Sequence, residues 1–582
     1  VTTPLRSLPN RPQRPSLDRR RFIIGSAAAL GAAATLELDA CGGGGSPAVP
    51  ASGAVYTLRV GYTTTIFPGG YTLHTRTYDG RTVGPTLETT PGSTLTIRIE
   101  NMLPPNPPAK IPTGRVRIPQ ARDMASMHAA ALATASVPAS GLNVMNNPHS
   151  FNTTNLHVHG IQTIPHLFEP LGTSNPSAMM IGIEPGDSFT YAFPIPADHP
   201  SGLFWYHPHH HGATDVQVSG GMAGLLIVRG PIDAVPEIAA AREILIAIQT
   251  IQVNPSSKTP GTYDYEPVAY EAPPPTGNGY SLGPQFAFVT VNGKAVTVNN
   301  GNTGSWTPSP PPLYAMQPGE IVRLRILNGA NFLILPLTIP GMDVFVIGND
   351  GINTLAPQAI AEQAALGTVV SAATRNDGKN ILLSPGGRAE LLVRAPRVPG
   401  TFPLVALATS DVSFMPFPQI VLAKFTVGGV PVSMQLPATL PTPTREYPPI
   451  GESEIVARRS LTFSENSPAT DVLTGVDFWI DGKLYDEMRI DARPKIGTAE
   501  EWTVINTSSE SHPFHLHVNS IEVISINDVP LATTTFVDTV LVPSNGKVVF
   551  RSRFKQFTGK SVYHCHTLPH EDTGMMGNIL LS

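Results

Sequence analysis

Three stretches of the chain alternate apolar and polar residues in a common frame: "PGSTLTIRIEN" ending at Asn101, "PGEIVRLRILN" ending at Asn328 and "IGTAEEWTVIN" ending at Asn506. A period of two marks a half-buried strand, because successive side chains leave opposite faces. In each stretch a glycine (Gly92, Gly319 or Gly497) stands nine residues before the asparagine. Each is preceded by a glycine-containing turn, in "YDGRTVGPTLE" from 78, "VNGKAV" from 291 and "IDGKLYDE" from 480. The pattern predicts three copies of one all-β unit. Boundaries fall near "VRGPIDAVP" (228–236) and in the proline-rich "GGVPVSMQLPATLPTPTREYPP" (428–449), which reads as an extended linker. The predicted domains are therefore 51–232, 233–432 and 433–582. Two stretches depart from the pattern. "APQAIAEQAALG" (356–367) predicts a helix, and 103–153 is an irregular insertion of a length that is usually functional or disordered.

Composition supports the all-β reading, since 52 Gly and 60 Pro in 582 residues favour short strands and frequent turns over long helices. A net charge of −5 leaves no basic surface for phosphate, which excludes nucleic acid as a partner. The two cysteines, Cys41 and Cys565, are too far apart and too different in context to suggest a structural disulfide. Residues 1–50 read as an export signal: Arg19 and Arg20 precede an uncharged run from Phe22 to Leu36, too short for a membrane span. With Phe22 and Ile23 this resembles a twin-arginine signal and implies a periplasmic or cell-envelope location. "LDAC" (38–41) followed by "GGGGS" resembles a lipoprotein cleavage site with a flexible tether, although Asp39 departs from the usual small or apolar residue. Two outcomes stay open: a lipid anchor at Cys41, or cleavage elsewhere with loss of that residue.

The chemistry lies in the histidines. Only 17 occur in 582 residues, so chance placement gives roughly half of one His-x-His pair. The chain has His157/His159, His207/His209, His209/His211, His515/His517 and His564/His566. Residues i and i+2 of a strand point to one side, so each pair aims two imidazoles at one spot. "TNLHVHG" follows the first Asn-ended strand and "HPFHLHVNS" the third. "FWYHPHHHG" and "VYHCHTLPH" come later, one in each outer copy, with Pro208 standing where Cys565 stands. The outer copies thus align as halves of one site. The middle copy has no histidine and is expected to act as a spacer.

These motifs resemble those of the three-domain multicopper oxidases, in particular the bacterial laccase-like and cuprous oxidase branch and more distantly the bilirubin oxidases. The resemblance covers 51–582 and is strongest in "WYHPHHHGATDVQVSGGMAGLLIV" and "HCHTLPHEDTGMM". It implies three cupredoxin-like Greek-key β-sandwich or barrel domains in tandem and four copper ions; separately, a monomer is expected. His157 and His515 would bind the type 2 copper, and His159, His207, His209, His517, His564 and His566 the type 3 pair. His512, Cys565, His570 and an axial Met575 would form the type 1 site. Coordination chemistry agrees: two imidazoles, a thiolate and a weak thioether make a blue-copper donor set, whereas zinc rarely takes thioether sulfur.

The resemblance also implies a mechanism. A phenol, an aromatic amine or Cu(I) gives single electrons through an exposed edge of His512 or His570, Cys565 passes them to its neighbours His564 and His566, and dioxygen becomes water. Relatives are expected to carry a proton-delivering glutamate just before the second type 1 histidine, where this chain has Pro569. The methionine-rich third-domain insertion of many cuprous oxidases is absent: 455–582 has no methionine cluster beyond Met575 and Met576. This shifts weight from a dedicated copper-tolerance oxidase toward a laccase-like enzyme. A non-enzymatic scaffolding or copper-binding relative is the third alternative, and retention of all ten histidines and the cysteine argues against it. His210 and His211 read as residues behind the ligands or exposed. His74, His128, His149, His166 and His199 read as ordinary surface or core residues. Met124, Met127, His128, Met145 and His149 offer a weaker Cu(I)-binding alternative in the insertion.

Overall fold

The computed structural model describes residues 53–106, 146, 148–256, 259–264, 286–300, 305–370, 379–410, 417–466 and 477–582. The segment 1–50, Cys41, and Met124, Met127, His128 and Met145 of the insertion lie outside the described residues.

The three alternating stretches form strands Thr94–Asn101, Ile321–Asn328 and Thr498–Asn506. Each pairs in parallel with an earlier strand, Val55–Phe67, Arg242–Pro255 and Ile455–Asn466 respectively. Each pairs antiparallel with a later one, Ser188–Pro194, Arg388–Arg394 and Lys547–Phe554. A parallel neighbour cannot be reached by a two-residue hairpin, so the chain must cross over between the paired strands.

The repeated residues have repeated jobs. Gly92, Gly319 and Gly497 have φ of 79°, 78° and 82°, a left-handed turn that a side chain would strain. The asparagine ending each strand donates from Nδ2 to two or more backbone carbonyls: Asn101 to Asn152 and Ile183, Asn328 to Leu333 and Leu383, Asn506 to Glu510, Val542 and Pro543. Its Oδ1 accepts the N–H two residues on, from Leu103, Ala330 and Ser508. A single amide therefore satisfies backbone groups where a strand breaks off inside the protein, which aspartate could not do for carbonyls.

Each copy contains its own apolar cluster, around Leu95, Ile97 and Ile99 in the first, Leu324 and Ile326 in the middle, and Trp502 and Val504 in the third. Burying each such side chain contributes about 1.5–3 kcal/mol. The expected helix over 356–367 does not form. Ile352–Ala359 is a strand at the edge of its sheet, paired with Asp343–Asn349, and a loop follows. Pro357 would be tolerated in the first turn of a helix as it is at a sheet edge, so it is the cross-strand pairing of Gln358 and Ala359 with Val346 and Phe345 that overrides the helix-forming composition.

Two four-stranded sheets carry the histidines. One contains Gly84–Thr89, Gly224–Val228, Gly202–His207 and His157–His159; the other Thr539–Val542, His512–Leu516, Gly559–Cys565 and Met576–Leu581.

Candidate metal centres

The two sheets use one register. His157 faces His207 in an antiparallel pair in the first copy, and His515 faces His564 in the third. The alternation then places His159 with the first pair, while Cys565, opposite Phe514, leaves the other face of its strand. His209 and His566 lie just beyond their strand ends.

Eight imidazoles from the two outer copies converge in a buried cluster: His157, His159, His207, His209, His515, His517, His564 and His566. Their tautomers are set from behind. The Nδ1–H of His207 donates to the carbonyl of Pro208 at 2.8 Å, that of His515 to Asp538 at 2.9 Å, and that of His564 to Cys565 at 3.0 Å. The Nδ1–H of His157 donates to Nε2 of His166 at 2.9 Å, whose own Nδ1–H donates to the carbonyl of Ile164. In all four the Nε2 lone pair points inward. Nε2 of His157, His207 and His515 has no hydrogen-bond partner. Nε2 of His564 lies 3.1 Å from Nε2 of both His209 and His517.

Burial, followed by repulsion among the imidazoles, holds His157, His159, His209, His515, His517 and His566 well below the usual histidine range. His207 is held at about 3, chiefly by burial. Neutral rings with crowded, inward lone pairs are a metal cage: a cation between them supplies what no hydrogen bond can.

The second cluster is built within the third copy. Cys565 Sγ lies 3.6 Å from His512 Nδ1 and 3.8 Å from His570 Nδ1, and the two nitrogens are 3.2 Å apart. The loop after Cys565 folds back through two backbone bonds, Met575 N–H to the His570 carbonyl and Cys565 N–H to the Met575 carbonyl. Met575 is thereby buried in the same apolar cluster as Cys565. The His512 tautomer is relayed from the repeat: Ser508 Oγ lies 2.7 Å from Asn506 Oδ1, to which it donates, and 2.7 Å from His512 Nε2, which donates to it. His512 Nδ1 is left with its lone pair toward the sulfur. Burial pushes the Cys565 thiol up, so a thiolate here requires a cation beside it. Two nitrogens and one sulfur at these spacings, in a buried site, suit a copper centre.

The structure alters or sharpens several sequence expectations. His512 and His570 have no exposed edge, being fully buried, and Phe478 stacks on His570 at 3.8 Å. The way outward from His570 passes Glu510, whose Oε2 is 3.8 Å from its Nε2 and whose side chain is 22% exposed. One carboxylate at the histidine cluster is Glu571, two residues after Pro569: fully buried, its oxygens lie 3.2 Å from His209 Nδ1 and 3.1 Å from His564 Nδ1. Glu571 follows the type 1 candidate His570 directly, so the next side of the short helix Leu568–Asp572 carries it back to the cluster. His210 and His211 are buried, which sets aside only the exposed alternative, and His166 is the partner of His157 rather than an ordinary core residue. The middle copy is more than a spacer, since its Arg388 reaches Asp538 beside His159. No pattern in the sequence pointed to Arg388, Asp538 or His166, because each depends on contacts between distant segments.

A β-rich fold with a two-imidazole, one-thiol site one residue away from a buried cage of eight imidazoles defines a copper redox protein rather than a zinc or purely structural one. Comparison with known proteins places it further. Family profiles described as multicopper oxidase match residues 138–232 and 461–582, the two stretches that supply the histidines. A multicopper oxidase of Staphylococcus aureus is 24% identical over 537 residues, covering 90% of this chain and 88% of that one. A laccase of Bacillus subtilis is 24% identical over 405 residues, 64% of this chain and 69% of that one. Among solved structures, a Campylobacter jejuni multicopper oxidase described as a metallo-oxidase superposes with a TM-score of 0.62 at 22% identity, covering 90% of this chain and 91% of that one. A laccase-like multicopper oxidase from Ochrobactrum sp. gives a TM-score of 0.62 at 23% identity, covering 91% and 97%. Both outer copies thus match multicopper oxidase models, and the chain is similar to multicopper oxidases and laccases along most of its length. Its fold is cupredoxin-like, and it is an oxidoreductase that uses dioxygen as acceptor.

Proposed function

We propose that the chain holds four copper ions and couples one-electron oxidation of a small reductant, a phenol or aromatic amine in preference to Cu(I), to the reduction of dioxygen to water. His512, Cys565, His570 and Met575 hold the type 1 ion, His157 and His515 the type 2 ion, and His159, His207, His209, His517, His564 and His566 the type 3 pair. Copper in these sites would supply one-electron redox steps at the cysteine-containing centre and dioxygen binding at the histidine cage.

The chain's own residues do the rest. Cys565 stands in one donor set while His564 and His566, attached on either side of it, stand in the other. This is the observation that carries the reading, since it joins the two centres by a covalent path of single residues. The His564 Nδ1–H donates to the Cys565 carbonyl, a second link along the same path. Glu571, buried against His209 and His564, is the group placed to hold a proton next to the cage. Glu510, which burial pushes up to about 8, stands between His570 and solvent, where a hydroxyl or amine donor of the reductant would meet it. The lack of a methionine cluster in 455–582 favours an organic reductant.

The test is to load the purified protein with copper, record its absorption spectrum and follow oxygen uptake with a phenol and with Cu(I). A blue band with faster uptake on the phenol is expected; no blue band would refute the type 1 assignment. We also propose export through the twin-arginine-like segment, supported by Arg19 and Arg20. Replacing both by lysine should retain the protein in the cytoplasm on fractionation, and an unchanged location would exclude that route.

A further inference from the structure

The middle copy has no histidine, yet one of its side chains ends beside the cage. Arg388 opens strand Arg388–Arg394 and is fully buried. Its Nη1 donates to Asp538 Oδ1 at 2.8 Å and its Nη2 to Asp538 Oδ2 at 2.5 Å, a two-pronged grip on one carboxylate. Nη1 also donates to the Gly386 carbonyl, and Nε to the Leu203 carbonyl of the first copy. Asp350, likewise from the middle copy, squares the arrangement: its Oδ1 accepts the Arg388 N–H and its Oδ2 the N–H groups of Asp538 and Thr539.

Asp538 in turn faces the cage. Its Oδ1 lies 3.0 Å from His159 Nε2, and its backbone carbonyl accepts from His515 Nδ1. A carboxylate acceptor puts the His159 proton on Nε2 and leaves the Nδ1 lone pair facing inward, 3.3 Å from His566 Nε2. His159 is thus turned the opposite way from His157, His207, His515 and His564, whose Nε2 atoms face inward. The middle copy also closes in on the same place sterically. A Cβ on Gly386 would lie 3.0 Å from His566 Nε2 and 3.1 Å from His159 Cε1.

We infer that Arg388 of the middle copy is a positioning residue for the oxygen-reducing centre: by gripping both oxygens of Asp538 it fixes which nitrogen His159 presents to the metal. The inference rests on the copper assignment proposed above. With both oxygens held by the guanidinium, Asp538 orients the cage and does not ligate. When the guanidinium is lost, the carboxylate is free to turn away from His159, whose proton can then move to Nδ1 and take that lone pair away from the metal. A buried Arg–Asp pair that served only to join domains would leave the cage's electronic structure unchanged when replaced.

The experiment compares copper-loaded wild type, Arg388→Gln, Arg388→Lys, Asp538→Asn and the Arg388→Gln/Asp538→Asn double variant. Three quantities are read: the blue absorption, copper retained against a chelator, and the fraction of copper visible by electron paramagnetic resonance. The blue band, which reports the third copy's own site, should be unchanged in all. Retention by the non-blue sites should fall about 10–100-fold in Arg388→Gln, with a rise in the visible fraction as the coupled pair is disturbed. The double variant should lose no more than the worse single, since both act on His159. Wild-type retention and an unchanged resonance spectrum in Arg388→Gln, or losses that add in the double variant, would overturn the inference. Should Arg388→Gln fail to accumulate, Arg388→Lys, which keeps the charge and loses the fork, decides by the same readouts. A wild type that takes up no copper would instead bring down the copper assignment itself, before any variant is compared.

Discussion

The two donor clusters share a strand but differ in how much of the chain builds them. The cysteine-containing site draws all its donors from 512–575 and is oriented by a local relay, Asn506 to Ser508 to His512. The imidazole cage draws on 157–209 and 515–566 and is backed by Glu571, His166, Asp538 and Arg388, from three copies of the repeat. A site held within one copy needs only that copy to fold. A site shared between copies needs their mutual placement, and its geometry is set by buried polar contacts with no sequence proximity. The electron-accepting end should therefore tolerate damage to the rest of the protein better than the oxygen-reducing end.

The largest expected effect breaks the link between the two. Cys565→Ser should abolish the blue band and reduce oxygen uptake to background, while the cage still binds copper measurable by elemental analysis. Retained oxidase activity would refute the path through Cys565. Next comes Glu571→Gln, which removes a buried carboxylate from His209 and His564. Oxygen reduction should slow about 10–100-fold with the blue band unaltered, read by reoxidation of the reduced protein in a stopped-flow mixer. Wild-type reoxidation would remove Glu571 from the account.

Acid sharpens the comparison in the metal-free protein. Burial holds His512 and His207 at about 3, well below the ordinary value near 6.5, so the unfolded chain binds more protons between those values. Stability is then complete above about 6.5 and falls as pH drops toward 3; at pH 5 a single such histidine costs about 2 kcal/mol. The melting temperature of the metal-free chain should fall between pH 7 and pH 5, and bound copper should suppress the fall until the metal is released. A flat melting profile in the metal-free protein would contradict the neutral, buried cage. The smallest effect is local: Ser508→Ala removes the acceptor of His512 Nε2 and should cost about 1 kcal/mol of stability, with a shifted blue band and no change in cage copper. A change confined to the cage would reverse the division between the two sites.

Much of this was legible in the sequence because the signals were periodic. Alternation, the Gly-to-Asn spacing and the His-x-His pairs each reflect geometry local to one strand, and the structure brings together the eight cage histidines that those pairs supply. What was missed has a common cause. The helix expected over 356–367 failed because an edge pairing with a distant strand outweighs composition. Glu571, Arg388 and Asp538 carry no local signature, since a charged residue in a strand or turn is ordinarily solvated and only the fold shows it buried. His166 looked like a lone histidine for the same reason, and only the turn after His159 brings it back onto His157. The exposed edge expected of His512 or His570 was wrong because Phe478 and Glu510 lie over that face, the second from the loop that also positions Ser508.

The central claim is that one strand end joins two different copper centres. The most direct measurement counts copper per folded chain by elemental analysis and, on the same sample, integrates the resonance-visible copper and the blue absorption. Four ions per chain are expected, with one blue, one visible and not blue, and a coupled pair that is silent. A chain saturated by a single blue ion, with the cage histidines still neutral and empty, would contradict it.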